Sequence, residues 1–265
     1  MSNIKLIPIK HTILLSVFYL FFLSGTFAQK SMFNAGNVNS LTSSATTNSG
    51  SNNYITSGIV LSLDAANTAS YPGTGTSWTD LSGLNNNGTL INNPTFSNGS
   101  FSFNGSNYIN IPHSTSIAPS TGLITVTTWF KATATGSENN NIIFNKENEY
   151  ELSAGGGYIT YAFRPNWAWV GRTAFNINQW YQVTMTYDQL YQKMYVNGVE
   201  KYSVSQTGTI GNAYSLDLRI GARGAPGGPG SLFTGSIPIL LIYNRALTAA
   251  EVLSNFNAQK SRFGL

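Results

Sequence analysis

The chain of 265 residues contains no cysteine. That excludes disulfides, thiolate metal sites and a cysteine nucleophile, so a packed core alone must hold the fold. A domain of about 200 residues buries enough surface to do this. Charge is also scarce: Asp, Glu, Lys and Arg make up 9% of residues, and the net charge of +4 includes Lys5 and Lys10 near the N-terminus. What remains is too little for a nucleic-acid footprint, so no nucleic acid is expected as a partner. Histidine occurs twice, and His11 falls in an apolar N-terminal segment, leaving His113 alone. No nucleophile-elbow pattern accompanies it, and no acid cluster completes a metal site. No catalytic or metal-ligating residue is assigned.

Long apolar runs are missing too. The run over residues 13–23 is about 11 residues long, where a membrane span needs roughly 20. Lys5 and Lys10 precede it, and Ser24-Gly25-Thr26-Phe27-Ala28 supplies small residues after it. This is the pattern of an export signal over residues 1–28, cleaved after Ala28. A secreted or cell-surface location is expected, with no stable membrane insertion after cleavage. Residues 29–53 are rich in Ser, Asn, Thr and Gly, a composition that cannot offset the entropy of ordering, and read as a flexible linker. The folded domain is then residues 54–265.

Few Lys, Glu and Ala, together with abundant Thr, Tyr, Phe and Gly, favour an all-β domain. Residues 180–203 carry the clearest pattern. Tyr181, Val183, Met185 and Tyr187 alternate with Gln182, Thr184 and Thr186, the period of a half-buried strand. Asn197-Gly198 then suits a type I′ hairpin turn, whose central residues both need positive φ. The segment reads as a three-stranded meander whose apolar face needs a second sheet. Many further short strands are separated by turn signals, which points to a β-sandwich. One helix is expected at the end: Thr248 and Glu251 form a capping box, and Val252, Leu253 and Phe256 form its apolar side.

Phe103-Asn104-Gly105-Ser106-Asn107-Tyr108-Ile109-Asn110-Ile111-Pro112 carries a resemblance, as do residues 125–129, 180–188, 193–199 and 235–248. In order and spacing they resemble laminin-G-like, concanavalin A-like jelly-roll domains. The resemblance implies an all-β sandwich of two antiparallel sheets, with ligand on the concave face or the loop rim. The family hosts lectins, glycosidases and adhesion domains, so function must come from a site. One departure concerns the last strand, where an acidic pair often follows Gly-x-Ile. Here Pro238 and Ile239 stand instead, and the proline predicts an edge or a bulge.

Aromatic and basic residues cluster over residues 158–172. Tyr161, Arg164, Trp167, Trp169 and Arg172 are candidate glycan contacts, since sugar C–H faces stack on aromatics and Arg hydrogen-bonds hydroxyls. Trp167 and Trp169 share a face if that segment is extended, although some aromatics of the set must be inter-sheet core. Residues 221–230 form a Gly/Pro rim loop that could lay Arg223 against the same ligand. Glu147, Glu149 and Glu151 would share one face of a strand and offer a glycosidase acid pair. The plainer reading of these three is a solvated acidic turn. Asp64, Asp80 and the Asn85–Gly88 cluster could hold calcium, although Asx turns explain the same residues. No other cofactor is expected. The sequence therefore reads as an exported, non-catalytic glycan-binding or surface-adhesion module. Its partner would be a polysaccharide or a cell-surface molecule. The alternatives are a glycoside hydrolase using these glutamates, or a structural module of a cell surface or phage-derived particle.

Overall fold

Alternating apolar and polar residues pair into two antiparallel sheets in the computed structural model, which describes residues 54–119, 121–210, 215–225 and 228–265. The expected signal and linker lie outside the described residues. In chain order the strands are β1 (Ile59–Asp64), β2 (Ser77–Trp78), β3 (Gly88–Ile91), β4 (Thr95–Ser97), β5 (Ser100–Asn104), β6 (Tyr108–Ile111), β7 (Ile124–Ala132), β8 (Ile142–Lys146) and β9 (Tyr150–Gly155). They continue as β10 (Tyr158–Phe163), β11 (Val170–Ala174), β12 (Tyr181–Tyr187), β13 (Tyr191–Val196), β14 (Val199–Ser205), β15 (Leu218–Ile220), β16 (Arg223–Ala225), β17 (Gly228–Gly230) and β18 (Thr234–Tyr243). One helix, α1 (Ala249–Gln259), follows.

The first sheet runs β14-β13-β12-β7-β18-β5-β4, with β1 also paired to β18. The second runs β11-β10-β9-β8-β15-β6-β3-β2, and β16 with β17 forms a separate ribbon. Val183, Met185 and Tyr187 of β12 pack into the core shared with Phe144, Leu152 and Ile220 of the second sheet. Thr184 points the other way, its hydroxyl 2.9 Å from that of Thr127. Asn197 and Gly198 have φ of 52° and 76°, so the meander turns as a type I′ hairpin should.

β18 is central rather than an edge, and its proline sits where a missing donor does least harm. The ladder to β7 shifts register between Ser236 and Ile239, a bulge around Pro238. On the other side, β18 changes partner there, from β5 before the proline to β1 after it.

Helix α1 begins with the expected capping box. It covers the face of the first sheet turned away from the second, packing on Trp129, Leu241 and Tyr243. Leu253 is not on the packed side: it is 44% exposed, and Asn255 and Gln259 are buried instead. Those amides match polar groups of the sheet. Gln259 accepts from Trp129 Nε1 at 2.6 Å, and Asn255 donates to the Tyr243 hydroxyl at 3.1 Å. Buried polar groups need such partners, which is why this face takes amides rather than only leucines.

Candidate functional site

The three glutamates do not line one strand. Glu147 and Glu149 lie in the tight turn joining β8 to β9, and Glu151 lies on β9. Nor are they solvated, since Glu147 is 8% exposed and the other two are fully buried. The expectation of a solvated acidic turn is thereby corrected. Arg223 donates to both oxygens of Glu147, at 3.0 and 3.3 Å, and approaches Glu151 at 3.5 Å. Asn145 Nδ2 donates to both Glu147 and Glu151, while its oxygen accepts from the Gly224 amide at 2.7 Å. Buried Lys146 lies 3.2 Å from Glu149 and 3.1 Å from His113 Nδ1. Residues 223–225 and 228–230 are thus no loose rim loop. They form a ribbon fastened to the outer side of the second sheet by charge-assisted hydrogen bonds.

Burial pushes Glu151 up to about 7, with Arg223 pulling the other way. Burial likewise raises Glu149 and lowers Lys146 and His113. A carboxyl with a raised folded value binds its proton more readily folded than unfolded. Stability from Glu151 is therefore fully present below its ordinary value of 4.5 and is lost as pH rises to about 7. The full shift corresponds to roughly 3 kcal/mol. Melting temperatures measured from about pH 5 to about pH 8 should fall, and Glu151→Gln should flatten that slope. An unchanged slope in the variant would assign the effect elsewhere.

The six expected contacts do not share one environment. Tyr161 is fully buried, edge-on to Phe163 and Tyr202, so it is core and meets no ligand. Gly171 lies so close that a Cβ there would fall 2.6 Å from the Tyr161 ring. Arg172 stacks on Tyr158 at 3.4 Å and donates to Glu138 at 2.9 Å, using both its flat face and its edge. Arg223 is committed to the glutamates. Arg164, Trp167 and Trp169 stay half-buried at the surface. The segment holding the two tryptophans is not extended: Trp167 has φ of 44° and its amide donates to Phe163 O at 3.0 Å. The strand parity that would align the two indoles is absent.

Asp64 and Asp80 are both engaged by protein groups. Asp80 accepts from the amides of Ser62, Ser82 and Asn86 and from the Ser82 hydroxyl. Asp64 holds Arg262 through two hydrogen bonds, at 2.7 and 2.9 Å. Among the described residues, no three His, Asp or Glu converge as a cation site would require.

A different surface is open. A cavity of about 440 Å³ lies beside the C-terminal segment, where Trp180, Phe263, Lys131, Arg262, Asn98 and Ser100 meet. Phe263 stacks on Trp129 at 4.0 Å and tilts against Trp180 at 4.9 Å. The Lys131 ammonium lies 4.9 Å from the Trp180 ring centre. A second cavity of about 260 Å³, lined by Tyr71 and Phe96, shares Ala66, Asn98 and Gly99 with the first. Sequence reasoning missed both. The one available signal was Lys131, which continues the outward parity of Thr125, Thr127 and Trp129. The volume lies within the roughly 300–1,000 Å³ of small-molecule sites, and the lining mixes ring faces with a few polar groups.

Residues 103–253 match the laminin-G type model of the concanavalin A-like lectin/glucanases superfamily. Among solved structures, the chain is similar to domain 4 of an extracellular GH43 arabinanase from Geobacillus stearothermophilus in complex with arabinotriose. Identity is 19% and the TM-score 0.57, over 74% of this chain and 97% of that one. It is also similar to a structure of botulinum neurotoxin type C, whose cell entry depends on two ganglioside molecules. That match has 14% identity and a TM-score of 0.60 over 77% of this chain, which spans about half (52%) of the toxin chain. A mutant Trypanosoma rangeli sialidase displaying trans-sialidase activity matches at 15% identity and a TM-score of 0.56, over 80% of this chain and 34% of that one. These likenesses show the fold. No curated protein matches the chain. The family match covers more than half of the sequence and the two sheets bear it out: the protein belongs to the concanavalin A-like lectin/glucanases superfamily.

Proposed function

We propose that this chain is an exported carbohydrate-binding module that holds a glycan without cleaving it. The cavity lined by Trp180 and Phe263 carries the reading. Half-buried aromatic faces offer a stacking floor for the C–H face of a sugar ring, and Asn98 and Ser100 offer hydrogen-bonding groups to its hydroxyls. The arabinotriose in the arabinanase domain and the gangliosides of the toxin support the same ligand class. Against a hydrolase stands the state of Glu147 and Glu151. Both are tied to Arg223 and Asn145, and Glu151 has no exposed surface from which to reach a glycosidic oxygen. Arg164, Trp167 and Trp169 form the competing position, half-buried but outside this cavity.

A glycan array with the chain from Gln29 onward tests the reading. Binding to at least one polysaccharide is expected, and Trp180→Ala should weaken it about tenfold or more, the loss of a stacked ring of about 1.4 kcal/mol. A Trp167→Ala/Trp169→Ala pair should leave it nearly unchanged. The reverse ranking would move the site to the second sheet, and no binding to any glycan by folded protein would end the carbohydrate reading.

A further inference from the structure

We infer that the cavity selects an anionic oligosaccharide, with Lys131 as the residue that reads the negative charge. The inference rests on the carbohydrate reading above and goes on to name the ligand class.

Charge bookkeeping at the cavity wall points to it. Two cations, Lys131 and Arg262, line the space. Arg262 is neutralised by Asp64, which is buried and grips it with both oxygens. Lys131 has no such partner: among the described residues, no carboxylate lies within 4.0 Å of its ammonium. The wall therefore carries one positive charge that no carboxylate of the described residues compensates, whereas six other described cations, Lys146 and Arg262 among them, do face one. Arg172, Lys193, Arg223 and Arg245 each face a carboxylate. Lys131 is also not a free surface lysine. It is half-buried, on the central strand β7, with its ammonium held over the Trp180 indole. That contact keeps the charge beside the ring on which a sugar would stack. A sugar seated on Trp180 would thus bring a carboxylate or sulfate substituent within reach of a pre-placed ammonium.

The shape of the space adds length. The two cavities lie side by side, sharing Ala66, Asn98 and Gly99 in their linings. Gly99 has φ of +70°, and a Cβ there would fall 2.6 Å from that of Ala66, so only glycine lets the turn close this tightly. In the second cavity, Tyr71 and Phe96 pack edge to face, with centres 4.9 Å apart, and offer a second aromatic wall. A single sugar at Trp180 would leave that wall unused. An oligosaccharide running over the shared residues from one cavity to the other would touch both.

The test is a titration with four probes: tetragalacturonate, a sulfated galactan oligosaccharide, neutral cellotetraose and neutral arabinotetraose. The two anionic probes separate carboxylate from sulfate as the source of the charge. At low salt, at least one anionic probe should bind about tenfold more tightly than the neutral ones, and salt above physiological strength should erase the difference. Lys131→Met keeps an unbranched apolar side chain beside Trp180 and removes the charge, and should abolish the preference. Lys131→Arg should keep it. Phe96→Ala should weaken the tetrasaccharide without changing galacturonic acid itself. Neutral probes binding as tightly as anionic ones, or a preference that survives Lys131→Met, would overturn the inference while leaving glycan binding intact. Failure of all four probes, with folded protein, would overturn the inference, and the carbohydrate reading falls with it only if the glycan array is blank as well.

Discussion

Trp129→Ala is expected to destabilise the domain by about 3–5 kcal/mol, the range for deleting a buried aromatic ring. Trp129 is fully buried and does three jobs at once. Its ring stacks on Phe263 at 4.0 Å and on Phe256 at 5.8 Å, and its Nε1 donates to buried Gln259 at 2.6 Å. Both partners of the ring belong to the C-terminal helical segment, so the substitution should also loosen that segment from the first sheet. Trp129→Phe separates these jobs. It preserves a stacking ring and forfeits the short hydrogen bond, leaving the Gln259 oxygen only the long one from Gln182 at 3.5 Å, for about 1–3 kcal/mol. Urea denaturation followed by fluorescence and by far-ultraviolet circular dichroism measures both. Because Phe263 forms one wall of the Trp180 cavity, the alanine variant should lose ligand binding as well. Wild-type stability in the alanine variant would show that the helix is held by Val252 and Asn255 without the indole.

Arg223→Met is the second large effect. It leaves Glu147 and Glu151 facing one another across Asn145 with their cation gone, and breaking a buried pair by removing one partner costs about 3–5 kcal/mol. The rescue is more diagnostic than the loss. Adding Glu147→Gln and Glu151→Gln removes both stranded charges, so the triple variant should recover much of the stability. A loss that the glutamine pair does not restore would mean that Arg223 acts by packing rather than by charge. Arg223 also begins the ribbon, so hydrogen exchange at Gly224, whose amide is held by Asn145, should accelerate in the single variant and slow again in the triple one.

How far the sequence carried the reading differs from element to element. β12 was legible because its alternation is uninterrupted and one face is buried, the condition under which period 2 fixes which residues face the core. The Asn197-Gly198 turn and the Thr248–Glu251 cap were legible because backbone geometry dictates their residues locally. Glu147, Glu149 and Glu151 misled for a local reason. Asn148 adopts φ of 60° in the turn, and a turn resets the parity that an i, i+2, i+4 argument assumes. Trp167 breaks the alternation with Trp169 in the same way. The ribbon β16–β17 had no readable period because a glycine- and proline-rich strand leaves almost no side-chain pattern. The cavity was invisible for a different cause. Its walls come from residues 66, 98–100, 131, 180 and 262–263, brought together by long-range contacts such as that between Asp64 and Arg262. No local pattern encodes such a meeting.

The central place of β18 has a kinetic consequence. This strand supplies the ladder for β1, β5 and β7, yet it follows all three in sequence. During synthesis the first sheet cannot close until residues 234–243 have emerged, by which time β1 and β5 have been waiting with bare edges. Such non-local pairing makes folding slow, and waiting edges invite association with other chains. The first sheet should therefore mature late, its earlier strands staying pliable until residues 234–243 are in place.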